Sequence, residues 1–143
     1  MSIEWDARLA IGVAAIDVQH EELFRRAGAL VAAMERHSGH AEVARLLPYL
    51  EGYIAEHFSA EERLMTTHRY PASAEHVAEH RKFVRDFAAL KAEVEARGPV
   101  SAMAAKMAAF VGGWLKAHIG RTDLALGIFL TCDESGKRAP RAI

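Results

Sequence analysis

Three short breaks, at Ser38-Gly39, Tyr70-Pro71 and Gly98-Pro99, divide this 143-residue chain into four long runs, each striped with apolar residues at steps of three and four. That period marks a helix with one buried face, and glycine or proline at each break stops one helix before the next begins. The spacing predicts helix A over about 18–37, helix B over about 41–66, helix C over about 73–96 and helix D over about 100–119. Their inward stripes read Leu23, Phe24, Ala27, Leu30, Val31 and Met34; then Leu47, Leu50, Ile54 and Leu64; then Phe83, Phe87, Leu90 and Val94; then Met103, Met107, Phe110 and Trp114. Pro48 lies inside the second stripe, so helix B either kinks there or starts there. A short apolar piece, 124–130, follows Gly120. Helices of about 20 residues are about 30 Å long. Joined by short connections, they bury their stripes together as an all-α, antiparallel up-down-up-down four-helix bundle. Residues 1–17 read as an extended N-terminal arm that carries Trp5 and ends at Asp17 as an N-cap. The whole of 1–143 is expected to be one domain, with the bundle over 18–131 and a flexible tail over 132–143.

Composition removes several classes of function. Lys+Arg 18 against Asp+Glu 19 leaves a net charge of -1, without the basic stripe of a nucleic-acid binder. Cys132 is the single cysteine, which excludes a disulfide framework or a thiolate zinc site and makes it an inert thiol. The opening MSIEWDARLA has no basic and apolar signal pattern, and Lys106 interrupts the alanine-rich stretch 102–111. No membrane span is expected, and the cytoplasm is the expected compartment.

Histidine is the unusual ingredient, with 8 in the chain. His20, His57, His76, His80 and His118 fall on the inward stripes, where leucine is the ordinary occupant, and Glu61 falls there one turn after His57. An unpartnered polar group in a bundle core costs about 1–3 kcal/mol, and a carboxylate more. A metal satisfies them together. His57 and Glu61 are four residues apart, as are His76 and His80, so each pair projects from one helix face. Asp123 follows His118 by five residues, about 140° off the same face of a regular helix. It joins the set only if the helix distorts or ends between them, which Gly120 permits. These side chains exceed the four ligands of one tetrahedral zinc and suit a pair of ions bridged by carboxylates. Imidazole with carboxylate suits iron. The Glu-x-x-His pairs of ferritin-like di-iron bundles are absent from the stripes.

The remaining candidates read as ordinary. His37, His40 and His68 lie in or beside loops; Glu62 lies about 100° round from Glu61 and reads as solvated. Met103 and Met107 read as packing. His76-Val77-Ala78-Glu79-His80 matches the inverted zinc-protease signature, with Glu79 as general base. That reading leaves His20, His57, Glu61 and His118 unexplained.

Taken together these residues resemble the hemerythrin family in its single-domain bacterial form, the bacteriohemerythrins. The resemblance is carried by Asp17-Val18-Gln19-His20, His57-Phe58-Ser59-Ala60-Glu61-Glu62, Tyr70-Pro71 before His76-x-x-x-His80, and His118-Ile119-x-x-x-Asp123, and the arm with Trp5-Asp6 and Ile11-Gly12 is similar too. It extends over about residues 3 to 130. It implies two iron ions per chain: one held by His76, His80 and His118, the second by His20 and His57 with a vacant position. Glu61, Asp123 and an oxo or hydroxo group would bridge them, with O₂ bound end-on at the vacancy. Leu23, Phe58, Trp114, Leu115 and Ile119 match the family's O₂ pocket. No second acid, base or polar group is visible at those positions, and a dry apolar pocket disfavours proton delivery to bound oxygen. The implied function is reversible O₂ binding by a monomeric carrier, store or buffer rather than an enzyme, with an oxygen-consuming protein as a possible recipient. The alternatives are a di-iron oxidase, peroxidase or nitric-oxide-handling enzyme, and an O₂ sensor module.

Overall fold

The computed structural model describes residues 3–132. Among them the chain forms helices α1 (Ala14–Glu35), α2 (Gly39–Thr67), α3 (Ser73–Arg97) and α4 (Ser101–Trp114), then a π-helical segment (Leu115–Asp123) and α5 (Leu124–Thr131). Helical backbone runs unbroken through both ends of the π segment, since Leu115 and Leu124 are themselves in the right-handed region. The last three elements therefore make one rod, the fourth of an all-α antiparallel four-helix bundle. α1 packs on α2 and α4, and α3 closes the ring against the same two. The core runs along the axis through Leu23, Leu30, Leu50, Phe83, Met103 and Met107, the methionines as packing. No helix among the described residues is long and apolar enough to cross a membrane.

Two boundaries differ from the sequence expectation. α1 begins at Ala14, so Asp17 is not its N-cap but a first-turn residue. Its carboxylate accepts hydrogen bonds from the backbone N–H groups of Ile11 (2.7 Å) and Gly12 (3.2 Å). The aspartate thus ties the arm down onto the helix it precedes, and its charge suits a helix N-terminus. The arm itself is not wholly extended, since Ala7–Leu9 is a 3-10 turn capped by Asp6. α2 passes through Pro48 rather than starting there, because its N-terminus is Gly39. Its buried stripe is Val43, Leu46, Leu50, Tyr53 and His57, with Leu47, Ile54 and Leu64 only half-buried. The expected stripe is one residue out of phase at three positions, where Leu46, Tyr53 and Met65 are buried in place of Leu47, Ile54 and Leu64. The expected tail from 133 onward lies outside the described residues.

Candidate metal centre

Each helix of the bundle delivers at least one polar side chain to the same interior volume. α1 brings His20, α2 His57 and Glu61, α3 His76 and His80, and the π segment His118 and Asp123. None is more than 2% exposed. They divide into two groups whose candidate ligand atoms lie within 4.8 Å of one another: Glu61, His76, His80, His118 and Asp123, and His20, His57, Glu61 and Asp123. The two carboxylates belong to both groups.

The π segment decides whether Asp123 reaches this place. A π helix repeats its hydrogen bonds at i→i+5 rather than i→i+4, which brings residues five apart onto one side. His118 and Asp123, five apart, sit inside the nine residues that adopt it. His118 Nε2 is consequently 3.0 Å from Asp123 Oδ1. Gly120 lies in the middle, where a Cβ would stand 3.3 Å from the Leu115 carbonyl oxygen, so a larger residue would press on the widened turn.

The interatomic distances are those of donors facing a shared centre. Asp123 Oδ1 lies 3.1 Å from His76 Nε2, and Asp123 Oδ2 3.1 Å from His20 Nε2. Glu61 Oε1 is 2.5 Å from His57 Nε2 and 3.9 Å from His80 Nε2, and Glu61 Oε2 is 3.1 Å from His76 Nε2. Yet the four carboxylate oxygens and the Nε2 atoms of His76, His80 and His118 are buried without a hydrogen bond. Donors on one octahedral ion at about 2.1 Å stand about 3 Å apart, so this crowding without hydrogen bonding fits metal coordination. The donor set, five imidazoles and two carboxylates, fits first-row ions such as iron.

The buried groups of the cluster perturb one another strongly. Burial pushes the Glu61 carboxyl up to about 8, and the adjacent Asp123 charge adds to it. Burial acts on Asp123 in the same direction, but the nearby nitrogens of His118, His20 and His76 outweigh it and hold Asp123 well below the usual carboxylate range. Burial likewise opposes charge on His76, yet Asp123 and Glu61 outweigh it and raise that imidazole to about 9. His57 and His80 are driven down to about 2, chiefly by burial and then by neighbouring histidines, so both are neutral and offer lone pairs.

Hydrogen bonds outside the cluster fix which lone pairs point inward. His57 Nδ1 donates to Gln19 Oε1 (2.6 Å), His80 Nδ1 to Glu62 Oε2 (2.9 Å) and His118 Nδ1 to Glu79 Oε1 (2.9 Å). Thr122 Oγ1 donates to both Glu79 oxygens at 2.9 and 3.1 Å, holding that carboxylate in place. Such partners set the tautomer and orientation of a ligating histidine. An aromatic ring backs each of the same three imidazoles. Tyr53 stacks on His57 at 4.5 Å, Phe58 on His80 at 4.0 Å and Trp114 on His118 at 3.8 Å.

All seven predicted ligand positions are thus brought together, and the five predicted pocket residues, Leu23, Phe58, Trp114, Leu115 and Ile119, are all buried in the same core. His37, His40 and His68 are exposed and lie outside the cluster. One reading needs correction. Glu62 is not merely solvated: its side chain is 40% exposed, but one oxygen holds His80. Glu79, which the zinc-protease match would make a general base, instead accepts from His118 across the α3–π interface. Gln19 and Tyr53 were missed altogether. The signal available for the first three was adjacency, since each stands one residue before or after a stripe histidine or Glu61. The measurable consequence concerns Glu79. Glu79→Ala should weaken metal affinity about 10- to 100-fold while helix content stays unchanged, as competition with a chelator would read.

Comparison with known sequences agrees with this geometry. The family model of the hemerythrin HHE cation-binding domain matches residues 11–127, which contain every candidate ligand. A bacteriohemerythrin of Stenotrophomonas maltophilia is 29% identical over 124 residues, covering 85% of this chain and 76% of that protein. Bacteriohemerythrins of Pseudomonas paraeruginosa and Pseudomonas aeruginosa are each 28% identical over 119 residues, 83% of this chain and 75% of theirs. A match that runs from the arm to α5 and encloses two histidine groups joined by shared carboxylates places this chain in the hemerythrin HHE cation-binding domain family.

Proposed function

We propose that this chain binds O₂ reversibly at a non-heme di-iron centre and serves as an oxygen carrier, store or buffer. His76, His80 and His118 would hold one iron, His20 and His57 the other, and Glu61 and Asp123 both. The observation that supports this most is the inequality of the two groups around their shared carboxylates, with three histidines on one side and two on the other. The two-histidine ion would have one protein ligand fewer, which leaves room there for a small molecule. Iron at this place would supply electrons that hold O₂ and return when it leaves.

The chain's own residues would do the rest. Leu23, Leu115 and Ile119 are 0%, 5% and 0% exposed, and with Phe58 on His80 and Trp114 on His118 they would keep bulk water from the centre. An apolar wall gives little support to separated charge, so oxygen held there is not readily protonated and released as a reduced product. Gln19, Glu62 and Glu79 hold three imidazoles as Nε2 ligands. In this reading the chain acts as one domain, as a monomer and in the cytoplasm.

The test is anaerobic loading with ferrous iron followed by cycles of O₂ addition and removal. Two irons per chain, and colour that appears under O₂ and bleaches without it, are the expected result. Catalytic consumption of O₂ or peroxide with a reductant would overturn the carrier reading in favour of a di-iron oxidase or peroxidase.

A further inference from the structure

Tyr53 brings a buried hydroxyl to the aromatic residues around the candidate centre, and the bonding of that hydroxyl is incomplete. It is 5% exposed and lies one turn before His57 on α2. Its Oη accepts a hydrogen bond from Trp114 Nε1 at 3.2 Å. An indole nitrogen can only donate, so this contact leaves the phenol proton still to be placed. Among the described residues, that is the single hydrogen bond Oη makes. A buried hydroxyl proton without an acceptor is unfavourable, and native structures rarely keep one without a reason.

Its position narrows what the acceptor is. The Tyr53 ring lies on His57 with an interplanar angle of 15°, and the Trp114 ring lies on His118 with one of 9°. The hydrogen-bonded pair therefore covers one imidazole from each group, His57 from the two-histidine set and His118 from the three-histidine set. Phe58 fills the angle between them, its ring centroid 5.5 Å from both. Trp114 and Phe58 are pocket residues in the reading above. The hydroxyl thus stands at the junction of the two groups among apolar rings, free to rotate its proton toward an acceptor.

We propose that the Tyr53 hydroxyl is a ligand-positioning donor, giving a hydrogen bond to the small oxygen-containing or anionic ligand of this centre and so favouring ligands with negative charge on their outer atom. The proposal rests on the di-iron reading and assigns a residue that the motifs of the sequence do not contain. Phe58, Leu23, Leu115 and Ile119 carry no side-chain donor, so a ligand with charge on its outer atom would draw on this hydroxyl alone among them. Neutral apolar ligands of the same size would gain nothing from it. The selectivity is one of hydrogen bonding rather than of space.

Azide bound to the ferric protein is the probe, because its stretching frequency reports a hydrogen bond directly. The parent protein should show an azide band that shifts between H₂O and D₂O. Tyr53→Phe, which keeps the ring on His57, should lose that shift and bind azide about tenfold more weakly, as one charge-assisted hydrogen bond predicts. Helix content and the thermal midpoint of the metal-free variant, within about 5 °C of the parent, separate this loss from misfolding. An azide band insensitive to D₂O in the parent overturns the proposal without any variant. So does equal azide affinity in Tyr53→Phe, and in both cases the iron centre stands. A parent that takes up no iron overturns the di-iron reading as well.

Discussion

Removing metal from this protein should lower its thermal midpoint by about 10 °C or more, and His118→Ala should reproduce much of that loss even with iron in excess. An ion that binds only the folded chain stabilises it by about 4 kcal/mol at a thousandfold excess over its dissociation constant. For a chain of this length each kcal/mol moves the midpoint by about 3–5 °C. The physical cause is the set of buried atoms that the protein alone leaves unpaired: both oxygens of Glu61 and Asp123 and the Nε2 atoms of His76, His80 and His118. A cation satisfies them together, so its binding energy becomes part of the folding energy. His118→Ala takes one donor from the three-histidine group and one neighbour from Asp123, and it leaves a void under Trp114, whose ring lies 3.8 Å from that imidazole. Iron analysis should find fewer than two ions per chain, and calorimetry with and without a chelator should show the midpoints converging. Full iron content in His118→Ala would show that His118 is not a ligand, and a parent midpoint that no chelator moves would show that metal binding does not stabilise the fold.

Gly127→Ala should destabilise the protein by about 2–3 kcal/mol, lowering the midpoint by about 5–10 °C, although alanine is the better helix former. A Cβ at Gly127 would come within 2.6 Å of both the Cβ and the carbonyl oxygen of Ile11, and 2.7 Å of its Cα. Those are backbone and near-backbone atoms of a residue that is 0% exposed, so the arm must move as a body. Movement of Ile11 also disturbs its hydrogen bond to Asp17, which lies one turn before His20 on α1. Faster amide exchange at Ile11 and Gly12 should accompany the lower midpoint. Gly113→Ala is the matched comparison, since nothing stands within 4 Å of its added methyl. It should be neutral or raise stability by up to about 1 kcal/mol. If both variants behave alike, the close approach of the arm to α5 is not what requires glycine at 127.

The features legible in the sequence were those that repeat along a single helix. His57 with Glu61, and His76 with His80, declared themselves because four residues is one helical turn, and because imidazoles at leucine positions need a partner whatever surrounds them. The helix breaks were legible for the same local reason, through glycine and proline. Where no local signal exists, the structure departs from what the spacing predicts. Val13 caps α1 without a side-chain hydrogen bond, so nothing marked Ala14 as the start. Ile54 is the more apolar of two neighbours, so hydrophobicity favoured it, and packing nonetheless placed Tyr53 in the core.

Asp123 stands between these cases. The residues alone stated the condition, that the helix must distort between His118 and Asp123, and the π segment Leu115–Asp123 is that distortion. Whether a helix widens is settled by what its neighbours hold in place, not by its own sequence. The same is true of Gln19, Glu62 and Glu79, whose hydrogen bonds to His57, His80 and His118 each cross from one helix to another. Sequence by itself determined the bundle, the histidine stripes and the demand for a cation, because burial of a helix face follows from the order of residues along it. Tertiary structure alone decided which nitrogen of each imidazole faces inward, which carboxylates serve both groups and where the Tyr53 hydroxyl stands. Those choices depend on the relative shift and rotation of packed helices, and no single helix carries that information.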